Sequence, residues 1–171
     1  MHAVKESDLA RIYMRRMVLI WAIVCFAAST AGAQTKVTGT CQFGKPDPQH
    51  MLPAGDRPDH TLGVDQLKCT WTKPQDIAGD KTKEGVSTET LDVSGNSARS
   101  HGVHVTTMES GDKYFVSYQG TGVAKDGAYQ NTKGTWNYTG GTGKLKGIKG
   151  KGSYAFAASG DVVSCDLEGE Y

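Results

Sequence analysis

The sequence predicts an all-β fold, namely an eight-stranded antiparallel up-and-down barrel that follows an N-terminal signal helix. Polar and apolar residues alternate with a period of two in many short segments. Turn-forming residues separate those segments, and no helical period of useful length appears after residue 33, where nearly all of the 22 glycines lie. Short connections favour antiparallel neighbours, and closure removes exposed sheet edges. We therefore prefer a barrel to the alternative of a two-sheet sandwich.

Residues 1–33 have the order of a secretory signal peptide. Basic side chains precede an apolar run at 17–28, and the small residues Ala31, Gly32 and Ala33 follow it. The run is shorter than the roughly 20 apolar residues that a membrane-spanning helix needs. We expect cleavage after Ala33 and a mature protein in the periplasm or outside the cell, not integral to the membrane; a retained anchor is the alternative. Because Arg15 and Arg16 are adjacent, both Sec and twin-arginine export stay open.

The remaining region, 34–171, is predicted to be a single barrel domain. Cys41 and Phe43 lie in an alternating segment that marks the first strand, and Cys69 and Trp71 lie in a second. Six more extended segments follow at 85–93, 100–108, 113–121, 129–138, 148–156 and 162–171. Their separators contain Gly, Asp, Ser and Asn, which tolerate the dihedral angles of tight turns.

A Pro-rich loop is predicted at 44–61, which holds four of the five prolines. Proline lacks the N–H donor that a β-ladder requires, so we expect an ordered loop or lid over the barrel. The loop also contains oxygen and nitrogen donors of the kind that bind divalent ions: Asp47, His50, Asp56, Asp59 and His60. Their spacing is irregular and Asp commonly bonds to its own turn, so we predict no metal site.

Three cysteines follow the predicted cleavage site, namely Cys41, Cys69 and Cys165. An oxidising compartment would allow one disulfide and leave one thiol. All three have the phase of inward-facing residues. In a closed barrel Cys41 can reach Cys69 or Cys165, whereas a bridge from Cys69 to Cys165 requires the first strand to fray. The sequence leaves the connectivity open.

Charge composition argues against a nucleic-acid partner. The chain has 19 Lys and Arg against 18 Asp and Glu, without the surplus of positive charge that phosphate binding requires. A local run of lysines at 144, 146, 149 and 151 is interpreted as a solvated strand face. An anionic envelope polymer or lipid headgroup is the alternative partner for it. The oligomeric state stays open.

Five side chains share phase with apolar neighbours and are predicted to line the barrel interior as candidate ligand contacts: Trp71, His101, Tyr118, Trp136 and Tyr154. These side chains either fill the interior by packing or surround a small apolar ligand, as in lipocalin-like barrels. In a regular strand His101 and His104 point to opposite faces, so we expect His101 inside and His104 outside, without a shared metal.

Candidate catalytic groups are weakly marked. Glu84, Glu89 and Glu109 are carboxylates in or beside predicted strands, and their spacing does not single out an acid, base or nucleophile. The catalytic residues are therefore left unknown.

The Gly-rich stretch at 134–154 carries a family resemblance. Gly140, Gly141, Gly143 and Gly147 are interpreted as a structural turn between two late strands. Their pattern resembles one found in barrels of the allene oxide cyclase and plant dirigent type. Other segments, at 60–63, 68–74, 111–113 and 168–171, resemble poorly characterised exported bacterial proteins. The resemblance implies the barrel and places no catalytic residue of the cyclases on this chain.

We predict an exported, non-catalytic β-barrel that serves as a binding or envelope-associated module and needs no cofactor. The alternative hypothesis is a cyclase-like or dirigent-like enzyme that acts on a small apolar substrate inside the barrel. The alternative requires an open interior cavity and at least one inward ionisable group.

Overall fold

A computed structural model describes residues 34–125, 128–159 and 162–171. The predicted signal peptide lies outside the described residues. Within them, no helix is long and apolar enough to cross a membrane. The strands are β1 (Lys36–Phe43), β2 (Gln49–Pro53), β3 (His60–Lys73), β4 (Asp76–Ile77), β5 (Asp80–Ser94), β6 (Ser97–Met108), β7 (Lys113–Lys125), β8 (Ala128–Gly141), β9 (Lys151–Ser159) and β10 (Val162–Glu170). One turn of 3-10 helix, Gly143–Leu145, follows β8.

Eight of these strands close into an antiparallel barrel. Around the barrel the strand order is β3, β1, β10, β9, β8, β7, β6 and β5, and β5 pairs in turn with β3. Apart from the short strands β2 and β4 and from the pair β1–β10, which joins the first strand to the last, neighbours in space are neighbours in sequence, as short connections favour. The predicted fold class, an eight-stranded up-and-down barrel, is confirmed.

The Pro-rich segment contains a strand where the sequence predicted only a loop. β2 pairs with the first half of β3, from Gln49 opposite Asp65 to Pro53 opposite Thr61. β1 occupies the same edge of β3 further along, where Phe43 lies opposite Cys69. The loop prediction for 44–61 is therefore wrong for residues 49–53, and also for 60–61, which begin β3. Prolines are tolerated there because β2 uses only one edge for this ladder, so a missing N–H can face away from β3.

Alternating side chains of the barrel strands form one interior cluster. Aromatic rings dominate it, and several meet edge to face: Tyr114 with Tyr138, Trp136 with Tyr138, and Tyr154 with Phe156. The cluster also contains the aliphatic and sulfur side chains Val37, Cys41, Cys69, Met108, Val116 and Cys165. Such large rings leave little free volume at the centre of an eight-stranded barrel.

Candidate functional site

A carboxylate pair lies inside the barrel wall on neighbouring strands. Asp65 of β3 is directly opposite Glu89 of β5, and both point inward. Antiparallel neighbours in such a pair have Cβ atoms about 5 Å apart. Glu89 is also opposite Gly102 of β6, which has no side chain. Tyr118 of β7, opposite Gly102 on its other side, can therefore extend over this glycine towards Glu89. The Tyr118 hydroxyl donates a hydrogen bond of 3.1 Å to Glu89 Oε2.

Both carboxyl groups hold their protons more tightly than exposed carboxyls do. Burial, together with the negative charge of Asp65, raises the pKa of Glu89 to about 7. Burial likewise raises the pKa of Asp65 to about 6, against the opposing effect of a hydrogen bond from Gln49 of β2. Asp65 Oδ1 is buried and has no hydrogen-bond partner among the described residues. Near neutral pH the pair is therefore partly protonated.

A tyrosine on the far wall adds another polar atom to this region. Tyr154 of β9 lies over Gly120 and Gly134, and a Cβ at Gly120 would be 2.2 Å from its hydroxyl oxygen. That hydroxyl is buried, and its hydrogen-bonding neighbour is the Ser100 side chain, which also bonds to Glu89. Burial and the nearby charge of Glu89 both raise the pKa of Tyr154. The two glycines thus make room for the ring and bring its hydroxyl towards the carboxylate pair.

The two histidines of β6 lie on the faces opposite to those predicted from the sequence. His101 is exposed, whereas His104 lines the interior and its Nδ1 lies 2.7 Å from Ser87 Oγ. Burial lowers the pKa of His104 to about 4, so its ring is neutral at physiological pH. The expected phase is wrong because hydrophobicity assigns Val103 and Val105 to the interior, whereas Val103 is 52% exposed.

The inward face of β6 instead carries small or polar residues: Ala98, Ser100, Gly102, His104 and Thr106. At Gly102 a residue without a side chain is needed because Glu89 of β5 lies against it and meets Tyr118 of β7 in front of the strand. Hydrophobicity alone therefore gives the wrong face for β6.

The other predicted interior residues do line the barrel. Trp71, Tyr118, Trp136 and Tyr154 surround a cavity of about 50 Å³. That volume holds a water molecule or two and is smaller than the roughly 150 Å³ cavity that admits benzene in an engineered protein core. Trp136 Nε1 donates to the backbone oxygen of Ser153 at 3.1 Å. A small apolar ligand in the interior stays a prediction, and it would require these rings to move.

Outside the barrel, a groove of about 630 Å³ crosses the face of β3, β5, β6, β7 and β8. Most of its side chains are neutral and face outward: Val64, Thr88, Thr90, His101, Val103, Ser117, Gln119, Thr135 and Asn137. Glu89, Gly102 and Tyr118, which belong to the inward phase, also reach it. A second groove, of about 720 Å³, crosses β8, β9, β10 and β1, and it also contains Thr135 and Asn137. The two grooves therefore adjoin along β8.

The three cysteines all face inward, as expected. Cys41 and Cys69 form a disulfide, and Cys165 is a buried free thiol directly opposite Cys41. Burial raises the pKa of Cys165 to about 12, so the thiol is protonated and unreactive at physiological pH. The structure thus selects one of the pairings that the sequence left open.

The Gly-rich turn encloses the 3-10 helix. Gly140 and Gly141 end β8, Gly143 begins the helix, and Gly147 follows it. Gly143 has φ +47°, and a Cβ there would lie within 1.9 Å of Asp112 Oδ1. Asp112 in turn accepts a hydrogen bond of 3.0 Å from the Lys144 backbone N–H. Glycine at 143 is therefore required both by the backbone angle and by the close carboxylate.

The donor residues of the Pro-rich segment form only a small contact. His60 lies between Asp56 and Asp92, and its Nε2 is 3.1 Å from Asp92 Oδ1. Among the described residues no group of three or more His, Cys, Asp or Glu side chains is arranged to hold a metal ion.

Comparison with known proteins shows the fold and no family. No protein-family model matches the chain, and no curated protein matches it significantly. A conserved protein of unknown function from Rhodopseudomonas palustris has 10% sequence identity and a TM-score of 0.50, over 82% of this chain and 100% of its own. A protein of unknown function from the DUF3224 family of Shewanella oneidensis has 17% identity and a TM-score of 0.42, over 80% of this chain and 96% of its own. The chain thus shares its fold with the Rhodopseudomonas palustris protein, and neither of the two proteins is described as a cyclase or a dirigent protein.

Glu89 is one of three carboxylates that the sequence marked only weakly, and Asp65 was not predicted as a site residue. Both residues carried a usable signal. Asp65 shares phase with Leu67, Cys69 and Trp71 on a strand whose inward face is otherwise apolar. A carboxyl group in an inward phase is costly unless it is protonated or paired, which makes it a functional candidate.

Proposed function

We propose that this protein is an exported, non-catalytic β-barrel that binds a neutral glycan chain of the cell envelope along the outside of the barrel. The observation that carries the proposal is the continuity of the two outer grooves through Thr135 and Asn137. Together they form an elongated path across the barrel face, a shape that suits a polymer better than a compact small molecule.

The chemistry of the first groove favours a neutral, hydroxyl-rich ligand. Amide, hydroxyl and imidazole side chains both donate and accept hydrogen bonds, as sugar hydroxyls do. His101, Gln119 and Asn137 are exposed examples. Val64 and Val103 are 47% and 52% exposed and offer apolar surface for the C–H faces of sugar rings. The second groove carries charged side chains of both signs, Lys36, Lys151, Glu168 and Glu170, so it has no surplus of positive charge that would favour an anionic ligand.

Export is supported by the disulfide between Cys41 and Cys69. Disulfides persist in oxidising compartments and are rare in the cytosol. The order of residues 1–33, which predicts a signal peptide, agrees with this. We therefore assign the protein to the periplasm or the extracellular space.

The cyclase-like or dirigent-like alternative needs a substrate inside the barrel. The interior cavity of about 50 Å³ gives little support for it, since an organic substrate would have to displace the aromatic rings. The outer grooves need no such rearrangement, so a binding role is preferred.

The proposal is tested by isothermal titration calorimetry with two neutral polysaccharides, a soluble chito-oligosaccharide and dextran. We expect saturable binding of at least one of them. Thr135→Val should weaken it several-fold, since a hydrogen bond contributes about 1 kcal/mol. Thr70→Val is the matched control, because Thr70 is an exposed threonine of β3 outside both grooves. Absence of saturable binding to both polysaccharides, or equal effects of the two variants, would overturn the proposal.

A further inference from the structure

The two outer grooves follow one line between two rows of outward side chains. Residues that pair across neighbouring strands form such rows, which run across the barrel wall. Thr135 and Asn137 of β8, which line both grooves, belong to adjacent rows. The Thr135 row continues through Ser153, Glu168 and Thr38. The Asn137 row continues through Lys151, Glu170 and Lys36. A chain that lies along the first groove is therefore led into the second.

The floor of the second groove is backbone without side chains. Between the two rows lie Gly152 of β9 and Gly169 of β10, which pair with each other. The ring of Trp136 lies against both glycines from the inside, where a Cβ would be 2.5 Å and 2.3 Å, respectively, from its Cζ2 atom. The barrel wall is thus closed behind the groove, and a ligand there stays on the outer surface.

The charge along this line changes after β8. The outward side chains of the first groove are neutral, whereas the second groove contains Lys151, then Glu168 and Glu170, and finally Lys36. The order along the line is therefore one positive, two negative and one positive charge. Glu168 and Glu170 stand on opposite sides of Gly169, with Cα atoms about 7 Å apart along β10. A cation on the floor of the groove thus lies between two carboxylates.

These charged groups do not pair with one another. Glu170 is directly opposite Lys36 on one side and Lys151 on the other, yet no ion pair joins it to either lysine in the described part of the chain. Glu168 accepts a hydrogen bond of 3.0 Å from Ser153 Oγ through its Oε1 atom. Lys36, Lys151 and Glu168 are exposed. The groups are therefore available to a ligand with complementary charges.

We propose that the second groove binds an amino-acid or short-peptide branch of the glycan, one that carries a free primary ammonium group and a free carboxylate. The inference rests on the proposed function, because the glycan in the first groove positions the branch. The ammonium group donates its N–H groups to Glu168 and Glu170. The carboxylate accepts from Lys151, one strand or about 5 Å away. A simple anion or a simple cation fits less well, since it meets charges of its own sign in the same groove.

The test is isothermal titration calorimetry with a disaccharide of N-acetylglucosamine and N-acetylmuramic acid that carries the peptide alanine-isoglutamine-lysine. The terminal lysine of this compound supplies one free ammonium group and one free carboxylate. Two matched controls each remove one charge: the same compound acetylated on the lysine side-chain amine, and the same compound amidated at its terminal carboxyl group. We expect the unmodified compound to bind about fivefold more tightly than either control at about 0.1 M salt, and the difference to shrink at about 0.5 M salt.

Variants assign each ligand charge to its partner in the groove. Glu170→Gln should weaken binding of the unmodified compound about threefold and should have little effect on the acetylated compound, which lacks the ammonium group. Lys151→Met should likewise weaken the unmodified compound about threefold and should have little effect on the amidated one. Glu84→Gln and Lys68→Met are the matched controls, because both positions are exposed and lie outside the two grooves, and they should leave the affinity unchanged.

The outcomes separate this inference from the proposed function. Equal affinities of the unmodified, acetylated and amidated compounds would overturn the inference, while binding of the chito-oligosaccharide or dextran would still support the proposed function. Equal effects of Glu170→Gln on the unmodified and acetylated compounds would also overturn the inference. Absence of binding to every saccharide would overturn both.

Discussion

Replacement of Glu89 by glutamine should stabilise the barrel at alkaline pH and change its stability little in acid. Glutamine has the shape of a protonated glutamate, and its amide oxygen can accept the hydrogen bond from Tyr118. The variant therefore mimics the protonated native state. It removes only the cost of an ionised carboxylate next to Asp65.

The size of the effect follows from the pKa of Glu89. A pKa of about 7 in the folded protein, against an ordinary value of 4.5, corresponds to about 3 kcal/mol. The folded state binds more protons than the unfolded state between these two values. The free energy of unfolding therefore falls as pH rises from about 4.5 to about 7, and it is lowest above that range. Because Glu89 is partly exposed and coupled to Asp65, we expect about 2 to 3 kcal/mol at about pH 8.

His104 acts in the opposite direction and must be separated from this effect. Burial lowers the pKa of His104 from 6.5 to about 4, so the unfolded state takes up a proton first as pH falls. Its contribution to stability is present above about pH 6.5 and is lost towards about pH 4. The wild-type profile is thus flattened, but the His104 contribution cancels in the difference between the wild type and Glu89→Gln.

The assay is urea unfolding followed by tryptophan fluorescence, at about pH 4.5 and about pH 8. Trp71 and Trp136 are buried in the barrel and should report its opening. Glu84→Gln removes one negative charge from an exposed position on the same strand and serves as the control. The reasoning is refuted if Glu89→Gln changes the free energy of unfolding equally at both pH values, or destabilises the protein at about pH 8.

Three further substitutions test the disulfide, the free thiol and the Gly-rich turn. Cys69→Ser should lower the free energy of unfolding by about 3 to 4 kcal/mol, because the lost bridge joins residues 28 positions apart. Cys165→Ala should lower the free energy of unfolding by about 1 kcal/mol. Because Cys165 is not part of the disulfide, reductant should destabilise this variant in urea unfolding as much as it destabilises the wild type. Gly143→Val should lower the free energy of unfolding by about 2 kcal/mol or more. Valine disfavours the φ of +47° at this position, and its Cβ would clash with the Asp112 carboxylate. An unchanged Tm for Gly143→Val in a thermal scan would contradict the turn assignment.

The barrel could be predicted because its signals are local. Each strand shows the alternation of a sheet with one buried face, and each turn contains the residues that turns require. The inward phase of Cys41 and Cys69 followed from their own strands. Their pairing did not, since Cys165 has the same phase and lies directly opposite Cys41.

The faces of β6 were less predictable because packing overrides hydrophobicity there. Val103 is 52% exposed while His104 lines the interior, which reverses the usual preference of the two side chains. The ring of His104 has a hydrogen-bond partner in Ser87, and this contact is visible only when β5 and β6 are placed in register. Strand β2 was also not predictable from local sequence. It lies in a Pro-rich segment and is recognised as a strand only from its pairing with the free edge of β3.

By itself, the amino-acid sequence determined that this chain makes short, half-buried strands joined by tight turns, because those properties depend on neighbours within a few residues. Only the tertiary structure decided which inward side chains meet. Asp65 and Glu89 face each other because closure of the barrel sets the register of β3 against β5, and Tyr154 approaches them because Gly120 and Gly134 leave space for its ring. Strand register and complementary volume are properties of distant segments in contact, so no local pattern contains them.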